Sequence, residues 1–432
     1  MRVLGIGEWN DLGDLYLNLL RDGNDVRVYI ADPKAHDILD GLVQRVEDWR
    51  DHLGWIREAG DEGVIVFETV HHGPLQDELR ASGYHVIGGS AVGDSLETNR
   101  SFGQQVMREI GLEVLPSWSF PDATAAASFI AAHPTRYVLK GDVGSSVICS
   151  THIGKAPDGS DIIALLHRRS TSKATGRVLL TLHVQGVEVG VGAYFNGRRF
   201  LAPACLDWEH KRFFPGDIGE LTGEMGTLVT YRGAETLFDR TLARCAPRLQ
   251  AAGYVGYINL NLIVDRDHIW PLEFTCRFGY PGFAILSSLQ AGGWADLFKR
   301  MLDPESRGFS VSEDYALGVV ITVPPFPYPD GYERLSKGLP IVIQHQRAED
   351  EEHFHLAEAA LKAGDLVCAG QIGYPMVVTG TGTDAETAKR AAYARVERVI
   401  IPDMRYRNDI GDLFISRDRQ LLRDWGYLGA DP

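Results

Sequence analysis

The stretch Tyr254–Gly282, YVGYINLNLIVDRDHIWPLEFTCRFGYPG, constrains this chain more than any other. Ile258, Leu260 and Leu262 alternate with Asn259, Asn261 and Ile263, a polar turn Asp265-Arg266-Asp267 follows, and Ile269 to Thr275 is apolar again. The pattern predicts a β-hairpin. With a side-chain period of two, Asn259 and Asn261 share one face of their strand, and Glu273 and Thr275 share one face of the next. Polar groups inside apolar strands are costly to bury unless something pairs with them. Two readings stand: a hard cation taking oxygen ligands, for which Mg²⁺ bridging to phosphates is the type, or a solvated sheet edge.

A chain of 432 residues has room for two to four domains, and 44% hydrophobic content supports sizeable cores. A net charge of -15 argues against non-specific binding to nucleic acid or to an anionic membrane, and leaves anionic small molecules open. No apolar run approaches the roughly 18 residues of a membrane helix. The start, MRVLGIGE, reads as a strand rather than a signal peptide. Five scattered cysteines without a C-x-x-C pair read as buried thiols in a reducing compartment. The expectation is a soluble, cytoplasmic protein.

Arg2 to Gly7 reads as a strand, Leu12 to Leu20 as a helix stopped by Gly23, and Val26 to Ile30 as the next strand. Val64 to Phe67 and Tyr84 to Ile87 complete a small open parallel sheet of Rossmann-like type. Gly5-x-Gly7 without a third glycine is a weak dinucleotide signal. A helix is predicted from Glu97 to Ile110, another from Ala123 to Ala132 with Asp122 as its cap, and a third from Ala385 to Val399 behind a Thr383-x-x-Glu386 capping box. Tyr137 to Lys140 is a strand ending in lysine, followed by Gly141-Asp142-Val143-Gly144-Ser145-Ser146-Val147 and a return strand through Cys149. Such a turn lets backbone N–H groups, Ser145 and Ser146 approach phosphate oxygens, with Lys140 adding a point charge; an ordinary hairpin with one exposed lysine is the other reading. Lys211 and Arg212, beside a glycine-bearing loop, read either as neutralising a transferred phosphate or as a solvated charge run. His71 and His72 have no third metal ligand in view and read as a loop lining a pocket or as a solvated turn.

Several of these motifs together resemble the ATP-grasp ligases, and most specifically the phosphoribosylamine–glycine ligase family. LEFTCRFGYPG is similar to that family's EFNxRFGDPE segment, Asp207 to Arg212 to its Q-D-H-K-R, Asp217 to Gly226 to its D-x-G-P-N-T-G-G-M-G, and Arg405 to Gly411 to its Y-R-x-D-I-G. KGDVGSSV looks closer to the loop of D-alanine–D-alanine ligases. The resemblance implies an α/β protein with an ATP-grasp fold, an N-terminal Rossmann-like pre-ATP-grasp domain (1–103), an ATP-grasp domain (104–308, lid about 117–184) and a C-terminal α+β domain (309–432). It implies ATP with Mg²⁺ or Mn²⁺, and small carboxylate and amine substrates for a monomer or homodimer. Lys140, Gly144, Ser145 and Ser146 would hold phosphates, backbone groups near Thr181 and His183 the adenine, and Glu188 the ribose. Glu273 and Asn261 would hold the metal; Arg277 and Lys211 would stabilise the transferring phosphoryl group. Glu8, Trp9, His71, His72, Thr222, Gly223 and Tyr280 would line the substrate site.

The departures are specific. Thr275 stands where the family has a metal-binding Asn, Tyr280-Pro281-Gly282 where it has Asp-Pro-Glu, Glu224 where it has Gly, and the first loop, Gly7-Glu8-Trp9-Asn10, has lost a Gly-Arg-Glu-His run. Arg2, Lys34 and Arg100 are left to supply the missing charge. The expected reaction is therefore ADP-forming ligation of an amino acid or small carboxylate to an amine other than phosphoribosylamine. The family's own purine-pathway reaction and a catalytically silent nucleotide binder are the alternatives.

Overall fold

The computed structural model describes residues 1–140, 151–171, 177–328, 330–345 and 347–429. Five parallel strands open the chain: β1 (Arg2–Gly7), β2 (Asp25–Ile30), β3 (Gln44–Val46), β4 (Gly63–Phe67) and β5 (His85–Ile87), in the order β3-β2-β1-β4-β5. The sequence pattern misses β3, a three-residue edge strand with one buried side chain. Helix α1 (Gly13–Arg21) returns from β1, burying Leu15, Tyr16 and Leu19. The glycines of β1 have a steric cause rather than a dinucleotide one. A Cβ at Gly5 would lie 2.3 Å from the Tyr16 hydroxyl, and one at Gly7 would lie 2.0 Å from a Glu68 carboxylate oxygen.

The helix expected from Glu97 to Ile110 is two helices, Ala91–Thr98 and Arg100–Glu109. Asn99 breaks them in extended backbone and caps the second, its side chain accepting from the Phe102 N–H. Glu97 thus ends the first helix instead of opening the second. Asp122 caps Ala123–Ala132 as its position predicts, accepting from the Ala125 N–H. The capping box at Thr383 is not formed. Asp384 is the cap, accepting from the Thr387 N–H, the helix stops at Val396, and Glu386 instead pairs with Arg419 at 2.7 Å.

Residues group into two compact units. The smaller comprises Gly111–Val187 and Ile263–Leu272. It holds a four-stranded sheet of β6 (Ser117–Phe120), β7 (Tyr137–Lys140), β8 (His152–Ile153) and β9 (Val178–Leu182), in the order β6-β9-β7-β8, over two helices. Ala126, Ile130, Ile162, Leu166 and Leu180 form its core.

The larger unit carries the opening sheet and most of a second one. The strands are β10 (Val187–Asn196), β11 (Cys205–Glu209), the hairpin β12 (Arg212–Phe214) and β13 (Ile218–Leu221), β14 (Gly226–Thr230), β15 (Val255–Val264), β16 (Ile269–Thr275) and β17 (Tyr315–Ile321), the end of β15 and the first part of β16 belonging to the smaller unit. Then come β18 (Val342–Ile343), β19 (Phe354–Leu356), β20 (Ala359–Lys362), β21 (Asp365–Cys368), β22 (Met376–Gly382) and β23 (Val399–Ile400). Eight of these make one sheet, β16-β15-β10-β11-β14-β17-β22-β19. The expected hairpin is therefore β15 and β16, and the strand beginning at Tyr315 extends this sheet on its far side.

Two glycines shape that sheet. On β10, Glu188, Gly190, Gly192 and Tyr194 share a face. A Cβ on Gly190 would lie 2.2 Å from Asp207 Oδ1, and one on Gly192 would lie 1.9 Å from the Tyr257 hydroxyl. The missing side chains let residues of β11 and β15 meet over the top of β10. Gly190→Ala should lower stability by about 1–3 kcal/mol through overpacking. Gly223→Ala, which meets open space, should stay within about 0.5 kcal/mol. Urea denaturation of the two variants checks the contrast.

Candidate active site

The face opened by Gly190 and Gly192 carries the polar residues of the strands. Asn259 Nδ2 donates to Asp207 Oδ2 at 2.6 Å, and Asn261 Nδ2 donates to Glu209 Oε2 at 3.3 Å. The Lys211 ammonium lies 2.9 Å from the same Glu209 oxygen and 3.8 Å from Glu188 Oε1. Burial opposes the charge on Lys211, but Glu209, Glu188 and Glu273 together hold its pKa above the ordinary lysine value. Burial, and then the neighbouring Glu209, push the Asp207 carboxyl up to about 7. Asp207 Oδ1, Asn259 Oδ1 and Glu224 Oε1 are buried with no hydrogen-bond partner. Lys211 is fixed from below: both the N–H and the hydroxyl of Thr222 donate to its carbonyl, at 2.8 and 2.9 Å. Gly223 beside it is exposed.

Of the residues singled out in the sequence, Lys211 and Asn261 share Glu209, which the sequence reading did not single out, and Glu188 lies near the same ammonium. Arg212 has a structural task, donating to the Gly219 carbonyl at 2.7 Å across the β12–β13 turn. The closing Arg407, 1% exposed on its side chain, reaches the Arg212 carbonyl, Asp217 and Asp409 at 2.7–2.9 Å and fastens the loop.

Arg277 follows β16. Its Nε donates to Glu97 Oε1 at 3.1 Å, while Glu97 Oε2 takes the Cys276 N–H at 2.6 Å. Glu97 thereby holds both the backbone and the side chain at this turn, a role that nothing in its local sequence signals.

In the smaller unit, Lys140 ends β7 opposite Leu179 of β9. Gly144, Ser145, Ser146 and the return strand through Cys149 lie outside the described residues. The stretch expected to meet the adenine is hydrogen-bonded within the protein at several points. Thr181 is buried with its hydroxyl 3.2 Å from that of Ser117, the Leu182 N–H donates to the Pro116 carbonyl, and the His183 N–H donates to the Arg136 carbonyl. A purine at this point must use backbone groups other than those two N–H donors.

The first-loop residues divide. Glu8 Oε1 lies 3.4 Å from His72 Nε2. His71 adopts a left-handed φ of 78°. Trp9, 40% exposed, donates its indole N–H to Asp32 at 3.2 Å. The Tyr280 ring lies tilted by 40° against that of Tyr374, with centroids 5.0 Å apart, and its hydroxyl is buried without a partner.

Residues 98–283 match the family described as phosphoribosylglycinamide synthetase, ATP-grasp (A) domain, and residues 316–413 match the C domain of the same synthetase. The chain belongs to the ATP-grasp superfamily. It resembles phosphoribosylamine–glycine ligase of Neisseria meningitidis serogroup B, with 25% identity over 96% of this chain and all of that protein. To the Nostoc protein of the same name it is 28% identical, over 78% of this chain and 80% of the relative. The crystal structure of phosphoribosylamine–glycine ligase from Thermotoga maritima shares the fold, with a TM-score of 0.68 at 22% identity over 95% of this chain and all of that one. ATP-grasp proteins of this family are ADP-forming carbon–nitrogen ligases that use ATP and Mg²⁺, and this chain is one of them.

Mg²⁺ fits the donors present. Among the described residues no three acid, His or Cys side chains converge into a metal cage. Mg²⁺ ordinarily takes one or two carboxylates and completes its shell with phosphate and water. Asn261 and Glu209, hydrogen-bonded to each other, carry oxygens of that kind, and Glu273 is near enough for its charge to act on Lys211.

Glu68 provides a solution test of the first loop. Burial, and then Asp11, push its carboxyl up to about 8. The native state therefore keeps a proton that the unfolded chain releases, and this contribution to stability falls as pH rises from about 4.5 to 8, by at most about 1.4 kcal/mol per pH unit. Thermal denaturation across this range should show a shallower decline for Glu68→Gln than for the wild type; parallel profiles would contradict the assignment.

Proposed function

We propose that this protein joins the carboxylate of a small amino acid, glycine first among them, to a glycosylamine in an ATP-dependent, ADP-forming reaction. The carrying observation is the Lys211 ammonium, held between Glu209 and Glu188 on the face that also presents Asn261. A fixed cation next to hard oxygen donors suits a γ-phosphoryl group in transfer.

In this reading a carboxylate oxygen takes the γ-phosphoryl group and ADP leaves. The amine nitrogen then bonds to the acyl carbon, the carbon–oxygen bond to phosphate breaks, and the nitrogen loses a proton. Lys211 and Arg277 neutralise charge on the transferring group, and Glu97 orients Arg277. Mg²⁺, when bound, draws charge from the phosphate oxygens. Glu188 supports the ribose.

The relatives favour phosphoribosylamine over an unrelated amine. Proteins named phosphoribosylamine–glycine ligase align with this chain over nearly its whole length. The purine-pathway pair, set behind a non-standard amine on sequence grounds, is therefore the first to assay. The four described free cysteines, Cys205, Cys245, Cys276 and Cys368, are all buried, which supports the cytoplasmic assignment. No described helix is long and apolar enough to cross a membrane.

With glycine, ATP, Mg²⁺ and a freshly formed glycosylamine, phosphoribosylamine and ribosylamine each being supplied, the expected result is release of ADP and phosphate at about 1 s⁻¹ or faster with at least one of the two. Lys211→Ala and Glu273→Gln should each lower kcat by about 100-fold or more with little change in melting temperature. AMP and pyrophosphate as products would overturn the acyl-phosphate route. ATP bound without turnover by any carboxylate and amine would favour the silent binder.

A further inference from the structure

In an open parallel sheet the ligand crevice lies where strand order reverses, outside the carboxyl ends of the strands. Here that point falls between β1 and β4, since β2 and β3 lie on one side and β5 on the other. Glu68, the residue after β4, fills it. Its side chain is 1% exposed. Oε2 accepts the Asp11 N–H at 2.9 Å, the Leu12 N–H also bonds to the carboxyl, and Oε1 accepts from the Tyr16 hydroxyl at 2.8 Å. Donors at the start of α1, which would otherwise be open to an anion, are spent on the protein's own carboxyl group.

A second anion cradle nearby is filled in the same way. The backbone N–H groups of Gln371, Ile372, Gly373 and Tyr374 all donate to Glu358, which is 2% exposed. Successive backbone donors converging on one point form a nest suited to an anion. Between the two plugs lie Asp11, which accepts from the Tyr374 hydroxyl at 3.3 Å, and the Tyr280 hydroxyl, buried with no partner. Arg2 cannot supply the lost positive charge. It sits at the opposite end of β1, donating to the Trp55 carbonyl at 2.8 Å and to Glu58 at 3.2 Å. Arg100 is largely buried, and the charge acting on it is that of Glu273.

We propose that Glu68 and Glu358 are specificity-determining residues of the acceptor site, and that this site takes a glycosylamine carrying no phosphate. The two anion cradles are closed to a phosphate by atoms already in place. What remains uncommitted between them is the Asp11 carboxyl group, for an amine, and the unpartnered Tyr280 hydroxyl, for a sugar hydroxyl. The inference rests on the ligase reading and concerns the far end of the amine substrate.

The test is a matched pair. Ribosylamine and phosphoribosylamine, each formed fresh from ammonia with ribose or ribose 5-phosphate, are supplied with glycine, ATP and Mg²⁺. The expected kcat/KM for ribosylamine equals or exceeds that for phosphoribosylamine. Glu68→Ala, which frees the α1 donors, should shift the ratio toward the phosphorylated amine by tenfold or more, and Glu358→Ala should shift it the same way. The ratio is unaffected by a loss of folded protein. A wild-type preference for phosphoribosylamine overturns the proposal. ADP release with neither amine overturns the ligase reading instead, and calorimetry then decides the acceptor site alone. Wild-type protein should give no binding of ribose 5-phosphate up to millimolar concentration, and sub-millimolar binding overturns the proposal.

Discussion

The pairing of Asn259 with Asp207 and of Asn261 with Glu209 is the interaction on which the rest of the larger sheet depends. These side chains belong to β15 and β11, which are separated by β10. Gly190 of β10 leaves the space that Asp207 enters to reach Asn259, and Gly192 leaves the space for Tyr257 against Cys205. Once the four are in place, Lys211 has a fixed anionic partner and the face carries several carboxylates against one ammonium. Buried acids crowded together are unfavourable by themselves. A phosphate chain with a divalent ion would meet both the ammonium and the acids, so the face is better matched to a bound nucleotide than to an empty state.

The first sheet follows a different logic with the same material. Gly5 and Gly7 make room for Tyr16 and Glu68, and Glu68 then binds the start of α1. The loop at 370–374 closes over Glu358 and also reaches back, with the Gly370 N–H on Asp37 and the Gln371 amide on Asp32. Asp14 of α1 joins His355 of β19 at 2.7 Å, out of reach of water. The opening domain and the C-terminal strands are thus stitched by buried polar contacts.

Periodicity and turn chemistry made the elements legible: β15 and β16 with their Asp265 turn, the Asp122 cap, and the strand ending at Lys140. Resemblance to family motifs singled out Lys211, Glu188, Asn261 and Glu273; the charges of Glu188 and Glu273 act on Lys211, and Asn261 shares Glu209 with it. What the sequence could not disclose depends on distant partners. Glu97 lies 180 positions from Arg277, Glu68 acts on a helix that precedes it by some fifty residues, and Glu358 is defined by a loop that follows it. The Asn99 break and the Asp384 cap were missed for a smaller reason, because each stands next to an equally plausible capping residue. Gly190 and Gly192 did carry a readable signal: glycine at alternate positions of an apolar strand marks close approach of neighbours.

The claim that the Asn259–Asn261 face exists to receive a metal–nucleotide is tested most directly by calorimetry of ATP binding with and without Mg²⁺, in the wild type and in Asn261→Leu. The account predicts that Mg²⁺ tightens ATP binding by tenfold or more in the wild type. It predicts that the variant, folded with an equal or higher melting temperature, loses that tightening. The same Mg²⁺ effect in both proteins would contradict it.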